Sequence, residues 1–479
     1  MSICYISVDD VYSHVIKAST SAWKIIRQTC RARPSGYQWM PKYKSGLWDG
    51  YISLVRGKRL PTGLVSIVAN VLTDNGIECK FTWEHLRTGN AAVGTNRRMY
   101  PASTSIAMLD NVEIRDYQLD AINVLLNKER GVAKMATNAG KTVVFAALIK
   151  SLGNSNTVVI VQSKDLLYQT SDRLKSYLGR SVGVIGDSHR STDDIVVATI
   201  QTLDSLLKRG GLDVFKERFQ HNNILVIDEC HHVANNRTFD VLMKVPGWYR
   251  YGMSGTPLDR GLLNDLKLIS CTGPLCVDVS NTQLIDAGWS AKPVVYMHEL
   301  SESKYAGWSL DWQTAYTEMI LENDQRNETI LDIAQRELAA GKSALIIVTR
   351  IAHGRFLAAG LVERGILATF VCGNSSVAER QQALSQLDSD DPRVVVATNI
   401  FDEGVDVPAL DVVILACGGK SHIKLLQRIG RGLRRKEGRN VMHVHDFIDD
   451  GNNYLLDHTE ERMAVYEQEN FQTEYVSIP

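Results

Sequence analysis

Three groups of residues in this chain have the types and spacing to act on a phosphate. The first is Met135–Thr142, MATNAGKT, between a short apolar run at 131–134 and another at 143–149. That is the pattern of a strand, a tight loop and a helix. Free backbone N–H groups and the positive dipole end at a helix start favour an anion. Lys141 would reach the outer phosphates of a nucleotide, and the Thr142 hydroxyl would ligate Mg²⁺. The second group is Ile224–His232, ILVIDECHH, an apolar strand ending in two acids. Asp228 would share the Mg²⁺ with Thr142, partly through water, and Glu229 would orient or deprotonate an attacking water. The third is Gln427–Arg435, QRIGRGLRR. Arg431 and Arg434 fall on one helix face and could supply positive charge to a phosphoryl-transfer transition state, worth ~10³–10⁵ in rate. Each group alone has a plainer reading: a chance Gly-Lys-Thr triplet, a solvated acid pair capping a strand, and a basic helix touching nucleic acid.

The elements needed to hold these groups are legible. From about residue 113 the pattern repeats as strand, loop, helix. Runs apolar on both faces occur at 157–162, 195–198, 224–228 and 250–253, and again at 344–348, 368–371, 394–397, 412–416 and 441–444. Such runs, alternating with helical stretches, predict parallel sheets covered by helices. Two series predict two α/β domains in tandem, divided near 275–295. Inserted helices are expected over 301–340, around Trp308, Trp312, Tyr316 and Ile320, and a helix over 458–469. Before them, residues 1–90 read as a small α/β unit, with helical periodicity over 11–26, a strand at 51–55 and a basic hairpin tip at 56–59. The weakly periodic, polar stretch 87–111 reads as a linker. The expected domains are 1–95, a linker at 96–112, 113–285, 286–455 and a tail at 456–479.

The net charge of -1 hides an asymmetry, because the first hundred residues carry 14 Lys and Arg against 6 Asp and Glu. A basic domain on a mildly acidic body suggests a polyanion partner, or else a solvated basic face. Arg31, Arg33, Lys42, Lys44, Arg56, Lys58 and Arg59 interleave there with Tyr37, Trp39, Tyr43 and Trp48. Lys and Arg suit phosphates, and the aromatics fit either a small core or stacking on bases. The eight cysteines include no CxxC pair, which argues against a zinc ribbon and for reduced thiols in a cytosolic protein. The N-terminus lacks the pattern of a signal peptide, and no run of 18 uncharged apolar residues predicts a membrane span.

The order of these segments resembles the superfamily 2 helicases and translocases over residues 113–450. Arg115-Asp-Tyr117-Gln118 is similar to the adenine-reading Q-type motif. MATNAGKT resembles motif I, which implies ATP contacts for Thr137, Asn138, Ala139, Gly140, Lys141 and Thr142. Val161–Gln169 resembles motif Ia and Thr199–Thr202 the next strand-contacting motif, implying DNA contacts at Ser163, Lys164, Gln201 and Thr202. Asp228-Glu-Cys-His231 is similar to a DExH box. Ser254-Gly-Thr256 resembles motif III, which with His231 implies coupling between ATP and nucleic acid. Residues 344–350 fall at motif IV, with Arg350, and 397–406 at motif V, with Thr398, Gly404 and Asp406. Gln427–Arg434 resembles motif VI, implying catalytic roles for Gln427, Arg431 and Arg434. The family implies two tandem RecA-like parallel-sheet domains, with ATP and Mg²⁺ as cofactors and a single strand crossing both.

A closer resemblance, on 36–50 and 59–65, is to the N-terminal domain of phage UvsW-type helicases. It implies unwinding or branch migration of branched or double-stranded DNA (forks, four-way junctions, R-loops) in replication, recombination or repair. Single-strand-binding or recombination proteins would be partners, in the cytoplasm of an infected bacterial cell. An RNA-directed helicase, or a translocase subunit of a restriction or repair complex, remains the alternative. Two departures stand out: Asn138 where the family has Gly, and Gln162-Ser163 for the usual Pro-Thr. Ser163 keeps a hydroxyl for a phosphate contact. No separate strand-splitting domain is recognisable.

Overall fold

The computed structural model describes residues 2–82, 106–136, 138–153, 155–300, 311–387, 389, 391–398, 410–419 and 440–478. They divide into two compact units, Met1–Met135 with Ala139–Val279, and Ser280–Pro479 with Ala136–Asn138.

The first unit opens with β1 (Ile3–Ser7), β2 (Tyr12–Lys17), β3 (Arg31–Ala32), β4 (Ile52–Ser53), β5 (Arg59–Pro61) and β6 (Glu78–Thr82). Four of these form a sheet in the order β5-β2-β1-β6, while β3 and β4 make a short antiparallel ribbon. The helical expectation for 11–26 is half wrong. Ser13 and Val15 are buried and alternate with more exposed neighbours, so this stretch is strand β2, with Ser13 Oγ 2.9 Å from Thr62 Oγ1. The helix starts only at Thr20, where Ser19 Oγ accepts from the Ala22 N–H at 3.2 Å, a side-chain N-cap.

The N-terminal sheet packs within the first unit. Arg130 bridges to it, donating to the Asp10 carbonyl at 3.0 Å and to the Trp248 carbonyl at 2.8 Å. The Gly247 N–H donates to Asp10 Oδ2 at 3.1 Å. Gly63 lies so close to the helix Leu262–Cys271 that a Cβ there would fall 1.9 Å from the Ile269 carbonyl oxygen.

Eight strands form the main sheet of this unit: β7 (Arg130–Met135), β8 (Thr157–Val161), β9 (Gly183–Gly186), β10 (His189–Arg190), β11 (Ile195–Thr199), β12 (Ile224–Asp228), β13 (Tyr249–Ser254) and β14 (Leu275–Val279). Their order is β10-β9-β11-β8-β12-β13-β7-β14, parallel except for the β9–β10 hairpin. Strands β8, β11 and β12 are buried along their whole length, as β-branched runs covered on both faces should be. Because β7, β12 and β13 run parallel, their ends meet at one edge, where α/β folds gather their chemistry.

The second unit holds β15 (Lys292–Glu299), β16 (Ala344–Ile347), β17 (Ala368–Val371), β18 (Val394–Ala397), β19 (Val412–Leu415), β20 (Val441–Ile448) and β21 (Gln472–Ser477), in the order β17-β18-β16-β19-β20-β15-β21. Among the described residues all its strand pairings are parallel. Alternate residues feed two cores: Leu345, Ile347, Val395 and Val413 on one face, Ile346, Val396, Val412 and Ile414 on the other. Two boundaries differ from expectation. The division falls at Val279/Ser280 and not at 285/286. Ser280 and Gln283 form a capping box on the helix Asn281–Asp286, and Asn281 donates to Glu469 Oε2 at 2.7 Å within the second unit. The expected tail is no tail either. Asn453–Gln468 is a helix, and β21 pairs with β15 as the edge strand, driven by burial of Val465, Tyr466 and Phe471 in the core.

Candidate nucleotide site and nucleic-acid surface

The loop between β7 and the helix Lys141–Ser151 is shaped by its glycine. Gly140 has φ +72°, and a Cβ there would lie 2.4 Å from Gln118 Nε2. Asn138 also has positive φ, 80°, a conformation that Asn tolerates better than most residues. Gln118 is buried and uses both ends of its carboxamide on backbone: Oε1 accepts from Arg115 N at 3.0 Å, and Nε2 donates to the Ala139 carbonyl at 2.9 Å. Tyr117 adds a second bond to that carbonyl at 3.1 Å, and Arg115 donates to the Tyr117 hydroxyl at 3.0 Å. The three residues expected to read a base therefore clamp the phosphate loop.

Lys141, at the helix start, forms an ion pair with Glu229 Oε1. Glu229 sits just past β12 at φ 46°, which turns its side chain back toward the loop. Its other oxygen accepts from Ser254 Oγ at 3.2 Å, at the end of β13. Ser254 also lies 2.8 Å from His231 Nδ1 and accepts from Thr256 N at 3.2 Å. A hydroxyl has one proton and two lone pairs. With its proton given to Glu229, Ser254 accepts from both others, so His231 carries its proton on Nδ1. The ends of the loop, β12 and β13 are thus joined through one carboxylate. Burial would raise the pKa of Glu229, yet the Lys141 ammonium and His231 hold it well below the usual carboxylate range. Burial pushes Asp228 the opposite way, upward, against the pull of Lys141 and with the charge of Glu229 adding to the rise. For Lys141, burial lowers the pKa, but Glu229 and Asp228 outweigh it and the net shift is upward. A positive-φ cradle, a lysine and hydroxyl at a helix start, and two carboxylates at the adjoining strand end form a donor set that fits a magnesium-bound triphosphate.

The remaining expected residues are placed as follows. Ser163 is the N-cap of the helix Lys164–Leu178, accepting from Leu166 N at 3.3 Å, and Lys164 pairs with Asp187. Gln201 donates to the Gln162 carbonyl at 3.0 Å, and Thr199 donates to Thr202 Oγ1 at 2.9 Å. In the N-terminal region Arg33, Lys42, Lys44, Arg56, Lys58 and Arg59 are exposed, and Arg31 is half-buried. Arg31 and Arg33 stack on Tyr51 at 4.2 and 4.5 Å, and Arg59 lies over Tyr12 at 4.4 Å. Arg350 is exposed at the start of the helix Ile351–Glu363. Thr398 departs from the expected surface contact: just past β18 it is buried, with its N–H bonded to the Val371 carbonyl at 3.1 Å, and leaves little surface for a strand. Thr137, Gly404, Asp406, Gln427, Arg431 and Arg434, with Trp308 and most of the 87–111 stretch, lie outside the described residues.

Sequence reading missed three features. One is the Lys141–Glu229–Ser254–His231 chain, which only the meeting of three strand ends reveals. Another is a buried network in the second unit. Arg462 binds Asp446 Oδ2 at 2.8 Å and Asp449 Oδ2 at 3.4 Å, and Arg326 binds Asp449 Oδ1 at 3.1 Å. The same arginines donate to the carbonyls of Ala416 and Gly419, each at 3.2 Å, fastening the chain just before 420–439. A third polar group, Glu337 with His443 and His445, is built around Lys342, whose ammonium donates to Glu337 Oε2 at 2.9 Å.

Comparison with known proteins agrees with this layout. Residues 6–81 match the family model for the N-terminal part of the DNA helicase UvsW, 111–259 that of the type III restriction enzyme res subunit, and 325–436 the helicase conserved C-terminal domain. A putative helicase of the Sulfolobus islandicus filamentous virus is 28% identical, covering 74% of this chain and 66% of its own length. The ATP-dependent DNA helicase uvsW of Enterobacteria phage T4 is 24% identical over 96% of both chains. Across the first relatives matched, this chain spans from about half to nearly all of the relative's length. The structure of Saccharomyces cerevisiae Dbp5 bound to RNA and ADP BeF3 superposes with TM-score 0.55 at 15% identity, covering 76% of this chain and 89% of that one. At that identity the likeness speaks for the fold of two RecA-like domains.

Proposed function

The chain is a superfamily 2 helicase, and from that premise we propose that it is a DNA-dependent ATPase that moves on DNA and unwinds or branch-migrates branched DNA. The observation that carries the enzymatic half is the joining of Lys141, Glu229, Ser254 and His231 at one sheet edge. Nucleotide arriving at the Gly140 cradle draws the Lys141 ammonium away from Glu229. Glu229, kept ionised, is then free to orient a water and accept its proton. Thr142 and Asp228 would hold Mg²⁺, which would supply charge neutralisation on the phosphates. Because Ser254 bonds the same carboxylate, the change at Glu229 passes to His231 and Thr256, the start of the path to nucleic acid. Arg431 and Arg434, with Gln427, are proposed to meet the transferring phosphate, and Gly404 and Asp406 to line the nucleotide.

The DNA half of the proposal rests on the N-terminal match and on the exposed cations of that region, with Ser163, Lys164, Gln201, Thr202 and Arg350 holding a strand by its backbone. The full-length similarity to the phage T4 protein favours work in the cytoplasm of an infected cell, beside single-strand-binding or recombination proteins. No helix among the described residues is long and apolar enough to cross a membrane. The test compares ATP hydrolysis with matched DNA and RNA, and strand displacement on a fork, a four-way junction and a plain duplex, for wild type and Lys141→Ala. Stimulation by DNA over RNA, displacement on branched substrates, and loss of hydrolysis in the variant are expected. Wild-type turnover in Lys141→Ala, or preference for RNA, overturns the proposal.

A further inference from the structure

The N-terminal region carries an apolar projection that neither its own fold nor the nucleotide site uses. Trp39 is 71% exposed, Leu47 83% and Met40 38%. Lys42 and Lys44, between them in sequence, are exposed too, and the Lys44 ammonium lies 5.0 Å from the centre of the Trp39 ring. An exposed tryptophan with a cation beside it is a poor core residue and a good platform for a base next to a phosphate.

The projection stands on a stiff base. Tyr37 and Tyr43 pack edge to face at 4.8 Å, and Arg33 lies over Tyr37, Tyr43 and Tyr51 at 4.6, 6.0 and 4.5 Å. Trp48 turns inward instead, donating to the Tyr51 carbonyl at 2.8 Å. Gly50 closes the base at φ +83°, where a Cβ would fall 2.8 Å from the Tyr37 ring. The region is in turn tied to the first large sheet through Asp10 and Arg130 and packed at Gly63 against the helix Leu262–Cys271, as described above. The projection therefore belongs to the same compact unit as Lys141.

We propose that Trp39, with Met40 and Leu47, is the contact for the exposed base pair at a DNA branch point: the indole stacks on the last pair while Lys42 and Lys44 meet the flanking phosphates. This rests on the reading of the chain as a motor on branched DNA. A linear duplex hides its bases in the stack, whereas a fork or junction presents one open face, which an apolar platform ringed by cations complements. It would also supply a strand-splitting element, for which no separate domain is seen among the described residues.

The experiment uses the full chain and a fork carrying 2-aminopurine either at the first paired position of the branch or ten pairs into the arm. Wild type should change the fluorescence at the branch position and leave the interior position unaltered. Trp39→Ala should lose the branch signal and Trp39→Phe keep it, since a smaller ring still stacks. The double variant Trp39→Ala/Leu47→Ala should bind the fork about tenfold more weakly, as expected for loss of one stacked base. Both side chains are exposed, so melting temperatures should match wild type. A branch signal that survives Trp39→Ala, or an equal signal at both positions, overturns the inference. DNA-stimulated ATP hydrolysis without any branch signal overturns this inference alone, whereas hydrolysis that no DNA stimulates overturns the reading beneath it.

Discussion

Replacing Glu229 by Gln should separate nucleotide binding from nucleotide hydrolysis, in opposite directions. In the structure the Lys141 ammonium is committed to Glu229 Oε1, and incoming phosphate must break that pair. The two side chains are 15% and 24% exposed, so the pair is partly screened. A fully exposed pair contributes ~0.2–1 kcal/mol, and a hydrogen bond to a charged group ~1.5–3 kcal/mol. A value of about 1–2 kcal/mol is reasonable between those limits. The isosteric amide keeps a carbonyl oxygen near Lys141 but removes the charge, so most of that energy returns to nucleotide binding. Affinity should then rise about five- to thirtyfold. Hydrolysis should fall by ~10²–10⁴, the usual contribution of a positioned general base. Titration with a fluorescent ATP analogue and steady-state phosphate release measure the two effects on one preparation. Unchanged or weaker binding in Glu229→Gln would show that the Lys141–Glu229 pair does not compete with nucleotide, and would remove the release step from the mechanism.

Three other outcomes follow from specific contacts. Ser254→Ala removes the hydroxyl that serves Glu229, His231 and Thr256; ATP hydrolysis should stay within a few-fold of wild type while strands displaced per ATP fall sharply, and equal losses in both would refute a coupling role. Asp449→Ala strands Arg326 in a buried site and leaves Arg462 with Asp446 as its carboxylate partner, which should cost about 3–5 kcal/mol in chemical denaturation, with Asp449→Asn recovering part of it. His353 is buried, with Nε2 2.8 Å from Asn327 Oδ1, and burial, with Arg326 nearby, lowers its pKa from 6.5 to about 4. The folded state resists protonation that the unfolded chain accepts, so this site's stability is intact above pH 6.5 and drains away as pH falls toward 4. The slope is about 1.4 kcal/mol per pH unit, and His353→Gln should flatten it in urea melts between those pH values.

The candidate site was legible in the sequence wherever its chemistry depends on near neighbours. Gly140, Lys141 and Thr142 occupy one turn, and Asp228 and Glu229 close one strand, so spacing alone announces them. The central strands of both large sheets are equally plain, because burial on both faces leaves unbroken β-branched runs such as 157–161 and 394–397, whereas β9, β10, β14, β15 and β21 are not among the expected runs. Reading failed where a local pattern competes with a distant partner. Residues 12–17 carry enough helical periodicity to mislead, and only pairing with β1 and β5 makes them a strand. The acidic, polar stretch after Asp449 looks like a tail until Val465, Tyr466 and Phe471 are seen filling the core. Thr398 reads as a surface hydroxyl within a motif, yet its place at the end of a central strand buries it.

The same distinction explains how the N-terminal region relates to the motor. Its composition shows a basic surface, and spacing separates it from the first large sheet by a polar stretch that suggests an independent domain. What binds it to that sheet is scattered: one carbonyl and one carboxylate oxygen of Asp10, the guanidinium of Arg130, and the missing side chain of Gly63. None of these residues forms a pattern, and a glycine required by the approach of Ile269 more than 200 residues away leaves no local trace. Yet the attachment decides what the region can do. A basic domain on a free linker could only raise the local concentration of DNA around the motor. One held against the sheet that carries Lys141 and Glu229 can pass force to a bound strand, and the contact proposed above for Trp39 depends on such a connection.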